Sequence, residues 1–290
     1  VNYQIIHRTT YDYSAPVTAS HHVARLKPVD HPGQVCEVFE LQISPAPARR
    51  AERTDYFGNR LCFFSIQEAH QRLEITSTSR VKLQAGRMPM PRSSAPWKTV
   101  AGLFRDPVSP EAVDIYQFVF DSPHIRSSPD LAGYAAVSFP AEGSLLAGAR
   151  DLTRRIFQDF IYDPRSTTVA TPLEEVLEKR RGVCQDFAHL AIGCLRSLGL
   201  PARYVSGYLR TRPPEGQTRL VGADASHAWF SVFCPGEGWV GFDPTNNVLP
   251  REEHIPVAHG RDFGDVSPVA GILTGGGLHT VQVSVDVSTV

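Results

Sequence analysis

Gly182-Val183-Cys184-Gln185-Asp186-Phe187-Ala188 opens the run whose reading decides the fold. Numbered from Cys184 at about 100° per residue, Phe187, Ala188, Ala191, Leu195 and Leu198 fall within about 60° of it, an apolar stripe of helical period. Gln185, Asp186, His189, Gly193 and Arg196 take the other side. Gly182 suits the N-cap, and Gly199-Leu200-Pro201 supplies a C′ glycine and a proline stop. The run is therefore predicted as a helix over 184–198, with Cys184 in its first turn on the buried stripe. At that position the unpaired amides and the helix dipole favour a thiolate, and the same amides can donate to an oxyanion.

Downstream stand His227-Ala228-Trp229 and Phe242-Asp243-Pro244-Thr245. A thiol, an imidazole and a carboxylate are the parts of a cysteine nucleophile, its base and the group that orients the base. Residues 227–234 and 239–243 read as two strands joined at Pro235-Gly236-Glu237-Gly238. Register decides whether the three groups can meet, because strand side chains alternate between faces. A four-residue loop would put His227 and Asp243 on opposite faces; a three-residue loop or a bulge near the glycines puts them together. The latter is expected.

Working outward, residues 1–86 read as strands and turns, with Asp55-Tyr56-Phe57-Gly58-Asn59 a strong turn. Gly86 to Pro96 breaks every periodicity and reads as a linker. Helices are predicted over 110–120, 144–161 and 172–179 as well as 184–198, with strands after Pro201. This order indicates an α+β fold rather than a doubly wound sheet. The expected organisation is an all-β N-terminal domain over 1–86, a linker and connecting helix region over 87–143, and a catalytic domain over 144–290. Gly275-Gly276-Gly277 is no phosphate loop, because a strand pattern and no Lys-Ser or Lys-Thr follows it.

With 290 residues and 42% hydrophobic side chains the chain can bury a sizeable core. Twenty-nine Lys plus Arg against thirty Asp plus Glu leave a formal net charge of -1, which argues against nucleic acid and membrane surfaces as partners. No stretch approaches about eighteen apolar residues, and the N-terminus lacks a basic region followed by an apolar one, so a cytoplasmic location is expected. A leader removed earlier is compatible with a chain that starts at Val1. Five cysteines at irregular spacing fit reduced thiols, and Cys36, Cys62, Cys194 and Cys234 read as structural. No cofactor or metal is expected. There is no C-x-x-C or H-x-x-x-H pair, and Cys184, His189 and Cys194 point about 0°, 140° and 280° around their helix, so they cannot converge on one ion.

Gly-Val-Cys-Gln-Asp-Phe-Ala at 182–188, His-Ala-Trp at 227–229 and Phe-Asp-Pro-Thr-Asn at 242–246 resemble the catalytic blocks of the transglutaminase-like superfamily, in its bacterial cysteine protease branch. Leu200 to Tyr208 resembles the strand after the nucleophile helix, and His259 to Phe263 with Asp265 to Val269 resembles the C-terminal block. Residues 1–86 resemble the all-β bacterial transglutaminase-like N-terminal region. The resemblance implies a papain-like α+β core with Cys184 as nucleophile, His227 as base and then acid, and Asp243 as orienter. The implied chemistry is acyl transfer from an amide in a peptide or protein: water as acceptor gives a protease or amidase, an amine gives a cross-linking transglutaminase.

Some cross-linking members use a tryptophan upstream of the nucleophile as oxyanion donor, but no Trp lies between Trp97 and Trp229. Papain-type proteases use a Gln about six residues before the Cys, where this chain has Glu178. The hydrolase is therefore the leading reading, with a protein-glutamine aminoacyl transferase and a non-catalytic binding module as alternatives. The Cys184 amide is one oxyanion donor, and Tyr162 and Gln185 are candidates for the second. Asp186 and His189 are expected to bond each other or solvent. Trp229 and Trp239 wall the site or pack in the core, and residues 213–217 form a gating loop or a plain connection. His259, Arg261 and Asp262 brace the hairpin; His21, His22 and His254 are expected to be solvated. No Asp-rich calcium loop is present.

Overall fold

The computed structural model describes residues 1–84, 94–105, 110–211 and 225–290, with the side chains of Glu111 and Ala225 left aside. The expected linker and the 213–217 loop fall largely or wholly outside these residues. The first sheet is organised by one long strand, β1 (Asn2–Ala24). Its first half pairs with β5 (His70–Leu83) and its second half with β4 (Arg60–Ile66); β2 (Gln34–Ser44) and β3 (Arg49–Thr54) flank them in the order β2-β5-β1-β4-β3.

The other edge of β1 is taken by the end of the chain. β12 (Val269–Gly275) pairs with Val17–Ala24, and β13 (His279–Thr289) pairs with Tyr3–Tyr13, both antiparallel. β12 and β13, within the 144–290 segment, therefore join the sheet of the N-terminal region. Residues 281–287 alternate as a strand should, but which sheet receives 269–289 depends on partners roughly 250 or more residues away, and no local pattern carries that.

The second sheet is antiparallel, in the order β10 (Gly238–Phe242), β9 (Ala225–Cys234), β8 (Ala202–Leu209), β11 (His254–Gly260). Its even-numbered Ala228, Phe230 and Val232 join the main core with α6 (Cys184–Ser197). Around α6 stand α3 (Pro129–Ala136), α4 (Leu145–Asp159) and α5 (Leu173–Lys179). The expected helices at 144–161, 172–179 and 184–198 are present. The one at 110–120 is α2 (Pro110–Tyr116) followed by a 3-10 turn at Gln117–Val119. α1 (Trp97–Leu103) and α3 were not anticipated. For α3 the signal was present in Ser128-Pro129: Ser128 Oγ accepts from Leu131 N at 3.2 Å, with proline in the first turn.

α6 departs from the amphipathic reading because it is central rather than peripheral. Asp186, His189, Gly193 and Arg196, on its polar side, are all buried. A Cβ at Gly193 would lie 3.0 Å from Leu131 Cδ1 and 3.1 Å from Leu173 Cδ1, so the missing side chain sets how closely α3 and α5 approach. Arg196 threads the core to carbonyls, donating to Phe118 O (2.9 Å), Ala202 O (2.9 Å) and Arg261 O (2.7 Å). These bonds offset the burial of its charge and tie the helix to the start of β8.

The two sheets share a smaller core in which Tyr3, Ile5, Val285 and Val287 meet Tyr208, Ile255 and Val257. The Asp55–Asn59 turn adds a polar joint. Asp55 Oδ1 accepts from the amides of Phe57 and Asn59, Gly58 takes φ 86°, and the buried Asn59 side chain bonds both backbone groups of His259 (2.8 and 2.9 Å). Among the described residues no helix is long and apolar enough to cross a membrane.

Candidate active site

Cys184 is the first residue of α6 and is half-buried. The N-cap is Val183, not Gly182: its extended backbone turns its N–H onto Asp186 Oδ2 at 2.8 Å. Asp186 thus does not pair with His189. Its carboxylate serves the helix start as the acidic half of a capping arrangement and takes a second bond from Thr167 Oγ1 at 2.6 Å. Burial raises the Asp186 carboxyl, opposed by those two bonds. His189 instead accepts from Phe263 N at 3.1 Å, stacks on His124, and is lowered to about 3 chiefly by burial.

The β9–β10 hairpin pairs Cys234 with Gly238, leaving the three residues Pro235, Gly236 and Glu237 in the loop. Continued past Phe230–Phe242, this register sets Asp243 opposite Trp229, on the face of His227. His227 Nε2 and Asp243 Oδ2 are 2.8 Å apart, with the carboxylate fully buried and the imidazole nearly so. Cys184 also lies close enough to act on the ring's protonation, and because Nε2 faces Asp243, Nδ1 is the nitrogen left for the thiol. Burial alone would lower the His227 pKa. The hydrogen bond to Asp243, the neighbouring Cys184 thiol and the charges on both outweigh it and raise the ring to about 9.

Asp243 carries a full set of donors. Oδ1 accepts from the amides of Thr245 (2.9 Å) and Asn246 (3.2 Å), while Oδ2 accepts from His227, from Asn246 Nδ2 (2.7 Å) and from His254 Nε2 (2.9 Å). Burial pushes the carboxyl up, but the bonds from His227 and His254 hold it well below the ordinary range. His254, expected in solvent, is buried at the start of β11; His22 is likewise buried, stacked on Phe64, whereas His21 is exposed. Gly207 explains the reach of His254. It lies on β8 between His227 and Pro256, where a Cβ would collide with Ile255 O and come within 2.5 Å of Trp229 Cη2. The absence of a side chain there lets the Trp229 indole pack edge-on to His254 (5.3 Å) and beside His227 (6.0 Å).

His227, Asp243 and His254 present ligand atoms within 4.8 Å of one another. They meet as donors on one acceptor rather than as ligands around an ion, because the Asn246 N–H also points at Asp243 Oδ2, a site a cation would need free of donors. Tyr162 belongs to β6 (Ile161–Tyr162), which pairs in parallel with β7 (Arg181–Gly182) and puts Tyr162 opposite Gly182. Its half-exposed phenol is raised by burial and by the neighbouring Cys184. Gln185 is half-buried beside it in sequence. Arg261 and Asp262 brace α6 and α7 (Phe263–Val266) rather than the hairpin, while His259 is tied to Asn59: Arg261 O accepts from Arg196 (2.7 Å), Asp262 caps α7 through Gly264 N (2.8 Å) and Arg261 pairs with Asp265 (2.9 Å). Of the remaining cysteines, burial pushes Cys194 up to about 12 and Cys36 to about 11, which suits a packing role.

Residues 133–244 match the transglutaminase-like superfamily, and residues 3–82 match the bacterial transglutaminase-like N-terminal region. An uncharacterized protein of Mycobacterium tuberculosis is 42% identical over 295 residues, covering 98% of this chain and 92% of its own length. The chain belongs to the transglutaminase-like superfamily. A protein-glutamine gamma-glutamyltransferase of Pseudomonas aeruginosa is 32% identical over 108 residues, 34% of this chain and 16% of that protein. Among solved structures, a cysteine protease candidate from Cytophaga hutchinsonii superposes with a TM-score of 0.76 at 22% identity, covering 99% of this chain and 90% of its own, and so shares the fold.

Proposed function

We propose that the protein is a cysteine hydrolase of amide bonds in peptides or proteins, with Cys184 as nucleophile, His227 as general base and acid, and Asp243 as orienter. The observation that carries this reading is the 2.8 Å His227–Asp243 bond, with Cys184 at the start of a buried helix acting on the same imidazole. Cys184 Sγ attacks the carbonyl carbon, the C–N bond breaks, and the His227 proton leaves with the amine. Water then attacks the thioester, gives a proton to His227 and restores the thiol. The Cys184 amide and the Tyr162 hydroxyl are the donors assigned to the oxyanion, each such donor being worth on the order of 10²–10³ in rate.

Amine transfer is the second reading, favoured by the 108-residue likeness to the glutamyltransferase. Mass spectrometry of the products from a peptide library, with and without an added primary amine, separates the two. Hydrolysis predicts carboxylate products in both samples. Amine adducts displacing them would make the protein a transferase.

A further inference from the structure

We infer that His254 is a positioning residue that acts through Asp243, dividing the carboxylate's hold between two rings so that His227 can release its proton as well as keep it. The inference rests on the proposed roles of Cys184, His227 and Asp243. His254 lies beyond residues 133–244, the part of the chain that matches the superfamily core, and comes from the opposite edge strand of the sheet to the one leading into Asp243. Its Nε2 is 2.9 Å from the same Oδ2 that His227 approaches at 2.8 Å. Since that oxygen is an acceptor, His254 carries its hydrogen on Nε2. Among the described residues its buried Nδ1 has no hydrogen-bond partner, so the bond that holds this ring is the one to the carboxylate.

Orientation alone does not account for His254. Asp243 is already fixed by two backbone amides on Oδ1 and by Asn246 on Oδ2. What a third donor on Oδ2 adds is competition: negative charge accepted from by His254 is less available to His227. Both halves of the proposed cycle need this. His227 must give a proton to the departing amine and later take one from water, and a ring bound too tightly as imidazolium does neither well. Among the described residues, the other charged or titratable groups near the pair are Cys184 with Tyr162 on the thiol side, and Arg150, Arg251 and Glu253, which line one cavity with His254.

The test uses the full chain with ¹³C-labelled histidine, comparing wild type, His254→Phe and His254→Gln. The Gln variant keeps an N–H donor near the Nε2 position and the Phe variant removes it. Removal is expected to shift the NMR titration of His227 upward by roughly half a unit or more, with Gln returning it toward wild type. An unchanged or lowered midpoint in the Phe variant, or an equal shift in both, overturns the inference. Should His254→Phe fail to fold, His254→Met removes the donor in a different shape and is read the same way. Alkylation of each cysteine by iodoacetamide at pH 6 is measured in parallel on wild type. If Cys184 reacts no faster there than the other cysteines, the proposed nucleophile fails, whatever the His254 variants show.

Discussion

His227→Ala is expected to lower turnover on the order of 10⁴-fold or more, and to slow iodoacetamide alkylation of Cys184 near neutral pH. Without the imidazole the thiol loses its proton acceptor, and the thioester loses the base that activates water. The pH dependence carries a sign. The wild-type ring, raised to about 9, stays protonated through the neutral range, so the acid step is present there and fades as pH rises through about 9. The same shift links to folding: His227 contributes stability fully below its unfolded value of about 6.5, and that contribution is lost as pH climbs to the folded value. Thermal melts should therefore show a decline between these limits in wild type that is flattened in His227→Ala. A variant whose alkylation and melting profiles both match wild type would remove His227 from the mechanism.

Asp243→Asn tests the other end of the series, with an expected loss of about 10⁴-fold in turnover. Asn can keep its carbonyl oxygen under the amides of Thr245 and Asn246. Its NH₂ then faces three donors, those of His227, His254 and the Asn246 side chain. Two N–H groups cannot point at one another, so His227 must move its hydrogen to Nδ1, the nitrogen that serves Cys184. The thiol then has no acceptor. The change is nearly isosteric, so near-UV circular dichroism should stay close to wild type while activity falls; activity within tenfold of wild type would contradict the orienting role.

The parts of this arrangement that were legible in sequence are the local ones. The period of 184–198 marks α6 and puts Cys184 at its start, and glycine-rich turn chemistry marks the hairpin whose three-residue loop brings His227 and Asp243 to one face. What was not legible depends on partners distant in the chain. His254 sits in a strand with no local sign of its bond to Asp243, and the clue, Gly207, gains meaning only when β8 is known to lie between β9 and β11. Helical periodicity measures contrast, not surroundings, so on sequence Asp186 and His189 are expected to bond each other or solvent. Here Asp186, His189 and Arg196 are each satisfied by backbone groups of neighbouring segments. The return of β12 and β13 to the first sheet is a long-range pairing of the same kind.

The central claim is that an acyl group passes through Cys184. The most direct measurement is the intact mass of the protein after acid quench during incubation with a peptide library, for wild type and Cys184→Ala, followed by peptide mapping. The account predicts a thioester adduct on the peptide containing Cys184 in wild type and none in the variant, with product formation lost as well. Products formed by Cys184→Ala at the wild-type rate, or an adduct mapping to another residue, would contradict it.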